Sequence, residues 1–190
     1  MPSVPDLKQV DFPKNTEDLL KNYRQLVVRV NDLCRGIEQA LPAQITCSAG
    51  CSDCCTSITI FPVEAAALGQ ALANLPSGEA KAIRRHVAEH AARERCPLLS
   101  NQRCLLYAAR PIICRSHGLP ILFTEDDRQR IDCCPLNPLD VESLTGPRII
   151  DLDKLNTLLV AINALFLRHS GTASDLPERL TIAQALLPRK

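Results

Sequence analysis

Ten cysteines stand in this chain of 190 residues, and nine of them fall between residues 47 and 134. The tenth is Cys34. An even count permits five disulfides, but the first residues, Met-Pro-Ser-Val-Pro-Asp, carry no basic stretch followed by an apolar one. No signal peptide is expected, and no apolar run approaches the length of a membrane span. The expected compartment is the cytoplasm, where thiols stay reduced. There, a dense thiol cluster points to metal binding or catalysis rather than to cross-links.

The chain is long enough to bury an ordinary core without cross-links. Aromatic residues make up 3% and tryptophan is absent, so that core must be built from Leu, Ile, Val and Ala. The formal net charge of +1 argues against a dedicated nucleic-acid binder, which carries a basic excess. Lys81 to Arg95 is locally basic, but it alternates with Glu79, Glu89 and Glu94 and reads as a solvated helix face.

Residues 1–14 contain three prolines and little periodicity, which predicts an irregular arm. From Asn15 a long helix is expected, with Leu19, Leu20, Tyr23, Leu26, Val27, Val30, Leu33, Cys34, Ile37, Ala40 and Leu41 on one stripe. Asn15 or Thr16 is its cap, and Pro42 lies past its end. Cys34 on that stripe reads as a small core residue. Ser57 to Phe61 is β-branched and predicts a short strand. Pro62 opens a helix to about Leu75, broken by Pro76-Ser77-Gly78. A further helix is expected over Glu79 to Arg95, with Ala80, Ile83, Val87 and Ala91 on one face. Leu119 to Phe123, a turn at 124–127 and Arg128 to Asp132 form a hairpin delivering Cys133-Cys134. Two helices close the chain. One spans Asp151 to His169 with Leu155, Leu158, Leu159, Ile162, Leu165 and Phe166 inward. The other spans Leu176 to Leu187, capped by Ser174 or Asp175. The expected architecture is mainly α: one helical domain over 15–190, with a cysteine-rich metal-binding core at 45–137 and short strands or a hairpin.

The first cluster has the spacing C-x3-C-x2-C-C over Cys47, Cys51, Cys54 and Cys55. On a helix, positions i, i+4 and i+7 share a face; on a loop, Gly50 permits a tight turn around one ion. Either route brings three sulfurs together. Zinc takes four ligands at about 2.3 Å Zn–S, and a cubane iron–sulfur cluster takes four thiolates around a larger object. Adjacent side chains diverge by about 100° on a helix and point to opposite faces on a strand. Cys54 and Cys55 therefore serve two sites, or one is a bystander, and the same holds for Cys133 and Cys134. This suggests two four-thiolate sites drawn from Cys47, Cys51, Cys54, Cys55, Cys96, Cys104, Cys114 and one of the 133/134 pair. Spacing leaves the partition open. Arg95, Arg103, Arg110 and Arg115 lie close in sequence to these cysteines and can offset thiolate charge. His117, three residues after Cys114, is an additional candidate ligand or a loop histidine bonded to backbone. His86, His90 and His169 lie on helices in charged company and carry no functional reading.

Cys47-x3-Cys51-x2-Cys54-Cys55, then Cys96-Pro97-Leu98, Cys104-Leu-Leu-Tyr107, Arg110-Pro111 and Cys114-Arg115 resemble, in order, the cysteine-cluster proteins of YkgJ type, a family of zinc- or iron-chelating domains. The resemblance covers about residues 47 to 137. It implies metal binding, makes Cys134-Pro-Leu-Asn the counterpart of a later family cysteine, and leaves Cys133 as extra. Tyr107, Arg110 and Arg115 are expected to surround the ligands, with Pro111 fixing the chain just before Cys114. A more distant resemblance is to flagellin lysine methylases, which use S-adenosylmethionine, though this chain is short for such an enzyme.

Whether the chain is an enzyme stays open. The first reading is a metal-binding protein holding an iron–sulfur cluster, zinc, or both. The second is an iron–sulfur or S-adenosylmethionine-dependent enzyme. C-x3-C-x2-C is also the three-thiolate pattern of radical enzymes, but those need a larger α/β barrel than the helices here provide. The third is a structural zinc module that binds a protein partner through its helices. No P-loop, dinucleotide fingerprint or hydrolase elbow is present. Zinc is favoured by tolerance of such spacings, and iron–sulfur by the many thiolates and by the Cys-Pro steps at Cys96 and Cys134. The expected partners are metal ions, with no nucleic acid and no membrane.

Overall fold

The structure, a computed structural model, describes residues 16–47, 50–138, 144, 146–171 and 176–187. The expected arm over 1–14 and the caps Asn15, Ser174 and Asp175 lie outside them. Among the described residues there are seven α-helices and seven short strands, a mainly α architecture as the sequence predicts. No helix among them is long and apolar enough to cross a membrane.

The first long helix divides in two, α1 (Thr16–Leu19) and α2 (Lys21–Ala40). Leu20, at φ −88° and ψ −3°, interrupts the helix and is fully buried. Tyr23, Leu26, Val30, Cys34 and Ile37 then follow one another along the buried face of α2. Leu33 and Ala40, expected inward, are exposed instead: the apolar stripe is narrower than the periodic pattern suggests.

Strand β1 (Thr59–Ile60) pairs antiparallel with β7 (Leu180–Thr181), a partner the sequence did not reveal. Pro62 opens α3 (Pro62–Ala73), whose apolar residues face in two directions. Val63 and Ala66 enter one hydrophobic cluster with α2, while Ala65, Leu68 and Leu72 enter a second. A helix that buries residues toward both clusters forms a shared wall between two cores. Its N-terminus is held by buried side chains. Glu64 Oε2 accepts from Phe61 N–H at 3.0 Å, and Asn163 Oδ1 accepts from Val63 N–H at 3.1 Å.

Helix α4 (Ser77–His90) starts earlier and ends earlier than expected. Ala80, Ile83 and Val87 face the second cluster, but Ala91 is exposed beyond the helix end. The reason lies in residues 94–96, which leave the helix to pair with the first cysteine segment. Ser57 N–H donates to Glu94 O, and Thr56 bridges Arg95 in antiparallel fashion. The chain then makes an unanticipated hairpin, β2 (Leu99–Ser100) with β3 (Arg103–Cys104), turning through Asn101 and Gln102 at φ +47° and +60°. Helix α5 (Ile112–Ser116) follows Pro111.

The expected hairpin is present as β4 (Ile121–Glu125) and β5 (Arg128–Asp132), two residues later in its first strand than predicted. Its turn residues Asp126 and Asp127 have φ +50° and +58°, the two positive values of a tight hairpin turn. β6 (Ile150–Asp151) adds to β4 in parallel, giving the order β5-β4-β6. Asp151 caps α6 (Leu152–Ser170) through Lys154 N–H at 3.0 Å, and Gly171 ends it at φ +69°. Leu155, Leu159 and Phe166 are buried, whereas Leu158 and Leu165 are exposed and Asn163 takes an inward position. The last helix, α7 (Ile182–Leu186), has five residues rather than the expected twelve or so, because Leu180 and Thr181 are spent on β7. Thr181 and Gln184 form its capping box.

Cys34 is 6% exposed and packs in the first cluster, its thiol donating to Arg115 O at 3.5 Å. Replacing it by alanine is expected to cost about 1 kcal/mol, the ordinary size of a core substitution, and to leave metal content unchanged. Metal analysis beside a urea melt checks both halves.

Candidate metal centres

The cysteines are delivered by five separate segments. Cys47 follows the end of α2, and the residue before it is held from a distance. Thr46 N–H and Oγ1 donate to Asn137 Oδ1 at 2.9 and 3.0 Å, and Thr46 Oγ1 lies 2.9 Å from Leu136 O. Asn137, buried although polar, turns its amide nitrogen to Gly118 O at 2.6 Å and lies 3.9 Å from Cys47 Sγ. Cys134 N–H donates to the same Gly118 carbonyl at 3.3 Å, and Asn137 N–H donates to Cys134 O. One asparagine thus brings the start of the first cysteine cluster against Cys134, at the foot of the β4–β5 hairpin.

Gly118 makes this approach possible. Its φ is +91°, and a Cβ there would stand 2.8 Å from Cys47 Sγ and 3.6 Å from Cys134 Cβ. Gly118→Ala is expected to push Cys47 and Cys134 apart and to lower metal content, with residual metal held by the cysteines farther along the chain. Quantifying bound metal per chain at equal folded fraction tests this; unchanged content would show that the close approach has no bearing on binding.

Partial burial pushes the Cys47 thiol above its ordinary value; the Asn137 contact draws it back, and the charges of Cys134, Cys51 and Cys54 raise it further. Cys54 is raised by burial, by Cys55 and by Cys51. Geometry thus sets Cys47 against Cys134, and Cys51 and Cys54 follow Cys47 in the chain. Three of them, Cys47, Cys51 and Cys54, are exposed. Arg95 ties the segment between Cys51 and Cys54 by donating to Ser52 O at 2.9 Å and Ser52 Oγ at 3.1 Å.

Cys55 belongs elsewhere. Its carbonyl accepts from Cys96 N–H at 3.0 Å, continuing the Thr56–Arg95 bridge. Cys104 pairs with Leu99 across the β2–β3 hairpin, and Leu99 N–H donates to Cys96 O. Cys114 lies in α5, whose first N–H, that of Ile112, is bound by the buried Glu64 Oε1 at 2.9 Å. Burial pushes the Cys55 thiol up, with Cys96 and Cys104 adding to the rise and Arg95 opposing it. Burial pushes Cys114 up to about 12, with the charges of Cys96, Cys104 and Cys55 contributing and Arg110 opposing. Cys104 is raised by burial and by Cys96 and lowered by Arg110. Cys55, Cys96, Cys104 and Cys114 are thus a second neighbourhood of four, all half-buried. The two segments meet at the Cys54–Cys55 peptide.

The arginines divide by role. Arg110 lies 3.6 Å over the Tyr107 ring, donates to Tyr107 O and Cys114 O, and is the cation felt by Cys104 and Cys114. Arg115 bonds Arg110 O and Ala108 O, both at 2.7 Å, and Asn31 Oδ1 at 2.9 Å, which ties the 108–110 turn to α2. Arg103 is exposed on β3. His117 is exposed at the end of α5, and Cys133 neighbours Asp132 and Cys134; no described interaction joins either to a full group of four. His86 contacts Leu99 O and stacks on His90, bracing the β2–β3 hairpin. Gly118 carries no signal in the sequence, and Asn137 enters there only as the last residue of Cys134-Pro-Leu-Asn, with no role given to it.

Among the described residues no three Cys, His, Asp or Glu side chains are drawn tightly enough together to hold an ion as they stand. The groups are neighbourhoods whose thiols must close in, as ligands do when binding and folding are coupled. As donor sets, all-thiolate quartets suit zinc and iron–sulfur clusters.

A family model described as CxxCxxCC, "Putative zinc- or iron-chelating domain", matches residues 46–139, about half of the chain. No curated protein and no solved structure matches it.

Proposed function

Because the chain belongs, through residues 46–139, to the CxxCxxCC family of zinc- or iron-chelating domains, we propose that it is a metal-binding protein with two four-thiolate centres. The first is built from Cys47, Cys51, Cys54 and Cys134, and the second from Cys55, Cys96, Cys104 and Cys114. The observation that supports this reading is the backbone geometry on either side of the Cys54–Cys55 peptide bond: Gly118 sets Cys47 against Cys134, while Cys55 O accepts from Cys96 N–H and Leu99, bonded to Cys96 O, pairs with Cys104. Residues 15–190 act as one helical domain around them, and a reducing cytoplasm keeps the thiols available.

The occupant we favour is an iron–sulfur cluster. The proposed sets are all thiolate with no histidine, and proline follows both Cys96 and Cys134. Zinc is the second reading, favoured by the β2–β3 hairpin that presents Cys104 beside Cys96 in the second set. When bound, either group supplies positive charge that the quartet neutralises, and Arg110 offsets the remaining negative charge. Protein purified without oxygen is expected to carry iron and acid-labile sulfide in comparable amounts, with broad visible absorption. Zinc without sulfide moves the reading to zinc, and the absence of both overturns it.

A further inference from the structure

Cys47 and Cys134 come from opposite ends of the cysteine-rich region and converge on Gly118. The side-chain space that Gly118 leaves empty is bounded by both: a Cβ there would stand 2.8 Å from Cys47 Sγ and 3.6 Å from Cys134 Cβ. Hydrogen bonds hold the two ends in place. Cys134 N–H donates to Gly118 O, and the buried Asn137 ties that same carbonyl to Thr46, the residue before Cys47. Cys47 is exposed and Cys134 half-buried, so a small molecule in solution can reach the first sulfur while the second waits behind it. The adjacent pairs, Cys54 with Cys55 and Cys133 with Cys134, are poorer partners for each other. Consecutive Cα atoms stand about 3.8 Å apart, short of the roughly 4.4–6.8 Å over which disulfides close.

We propose that Cys47 and Cys134 form an oxidation site, whose substrate is a low-molecular-weight disulfide of the glutathione class and whose product is a disulfide between these two residues. The Cys47 thiolate attacks one sulfur of oxidised glutathione. A bond forms between the two sulfurs, the glutathione S–S bond breaks, and the other half leaves as a thiolate that takes up the proton given up by Cys47. The Cys134 thiolate then attacks Cys47 Sγ. The protein disulfide forms, and the second glutathione leaves with the proton given up by Cys134. Two protein thiols lose two electrons in all, and one oxidised glutathione gains them and becomes two thiols. The product joins the end of α2 to the foot of the β4–β5 hairpin. This chemistry needs neither the proposed ligand sets nor a fixed number of metal centres. Where both thiols hold metal, oxidant and metal compete for the same two sulfurs.

The test uses the full chain purified without oxygen, one portion as isolated and one treated with chelator, with helix content followed by circular dichroism. Each portion is incubated with oxidised glutathione, remaining thiols are blocked by alkylation, and linked peptides are mapped by mass spectrometry. The Cys47–Cys134 linkage is expected to be the first and main protein disulfide, about tenfold above any other pairing. Cys134→Ser should stop at one glutathione bound to Cys47, and Cys47→Ser should leave Cys134 reduced over the same interval. Asn137→Ala, which unties Thr46 from Gly118, should slow closure of the mixed disulfide about tenfold at equal helix content. A Cys55–Cys96 disulfide in its place, a scrambled set of pairings, or no protein disulfide in either portion overturns the proposal. Formation of the Cys47–Cys134 disulfide with metal content unchanged upholds it and removes this pair from the proposed ligands.

Discussion

Replacing Cys54 by serine is expected to empty one centre and leave the other filled, and replacing Cys55 is expected to do the reverse. The two residues are adjacent, yet in the proposed arrangement Cys54 joins Cys47, Cys51 and Cys134, while Cys55, whose carbonyl accepts from Cys96 N–H, joins Cys96, Cys104 and Cys114. Each mutant should lose about half of the bound metal, with different residual spectra. Their stabilities should also separate. The Cys55 set is built into the core beside Leu98 and Leu106, and a structural thiolate site contributes on the order of 10 kcal/mol to folding. Cys55→Ser should therefore melt well below Cys54→Ser. Equal losses from the same centre, or a structure with both sulfurs on one mononuclear ion, would refute the division.

Glu64→Ala is the second substitution with a large expected effect. The carboxylate is 4% exposed and accepts from two backbone N–H groups, Phe61 at the start of α3 and Ile112 at the start of α5. Each orphaned buried donor costs about 1–3 kcal/mol, so the loss should be roughly 2–6 kcal/mol, read from urea unfolding at constant metal load. Because α5 carries Cys114, metal at the second centre should also be retained less well. Glu64→Gln keeps one acceptor oxygen and should cost less than Glu64→Ala. Burial pushes the Glu64 carboxyl up, while the two N–H groups and Arg179 pull it back. With a folded pKa above the unfolded one, the native state holds the proton longer. Stability from this group is then present below the ordinary carboxylate value and lost as pH rises through the raised one. In Glu64→Gln that decline should disappear; its persistence would assign it to another group.

The long elements were legible because burial on one side leaves a period. Leu20, Tyr23, Leu26, Val30, Cys34 and Ile37 repeat at helical spacing and are all buried. The same rule overreached on α6, where Leu158 and Leu165 face solvent and Asn163 is kept inside by its bond to Val63 N–H. Two-residue strands such as β6 and β7 carry no period, so nothing local announces them. The tail of α4 failed for a related reason: residues 94–96 look helical but are claimed by long-range pairing with Cys55 to Ser57. Spacing names the candidate thiols, and the vicinal pair suggests two sites. Which thiol meets which depends on contacts between distant loops. Cys134 reaches Cys47 through Asn137 and Gly118, a relation that spacing does not encode.

That relation also sets a timetable. As the chain is synthesised, Cys55, Cys96, Cys104 and Cys114 have all been made before the β4–β5 hairpin exists. Cys47, Cys51 and Cys54 must wait for Cys134, which lies directly beyond that hairpin. At about 5–20 residues per second, the wait after Cys114 is about one to four seconds on the ribosome. In the proposed arrangement the core centre is complete on the nascent chain while its neighbour is still a three-thiol fragment. The position of one hairpin thus orders the two metallation events in time.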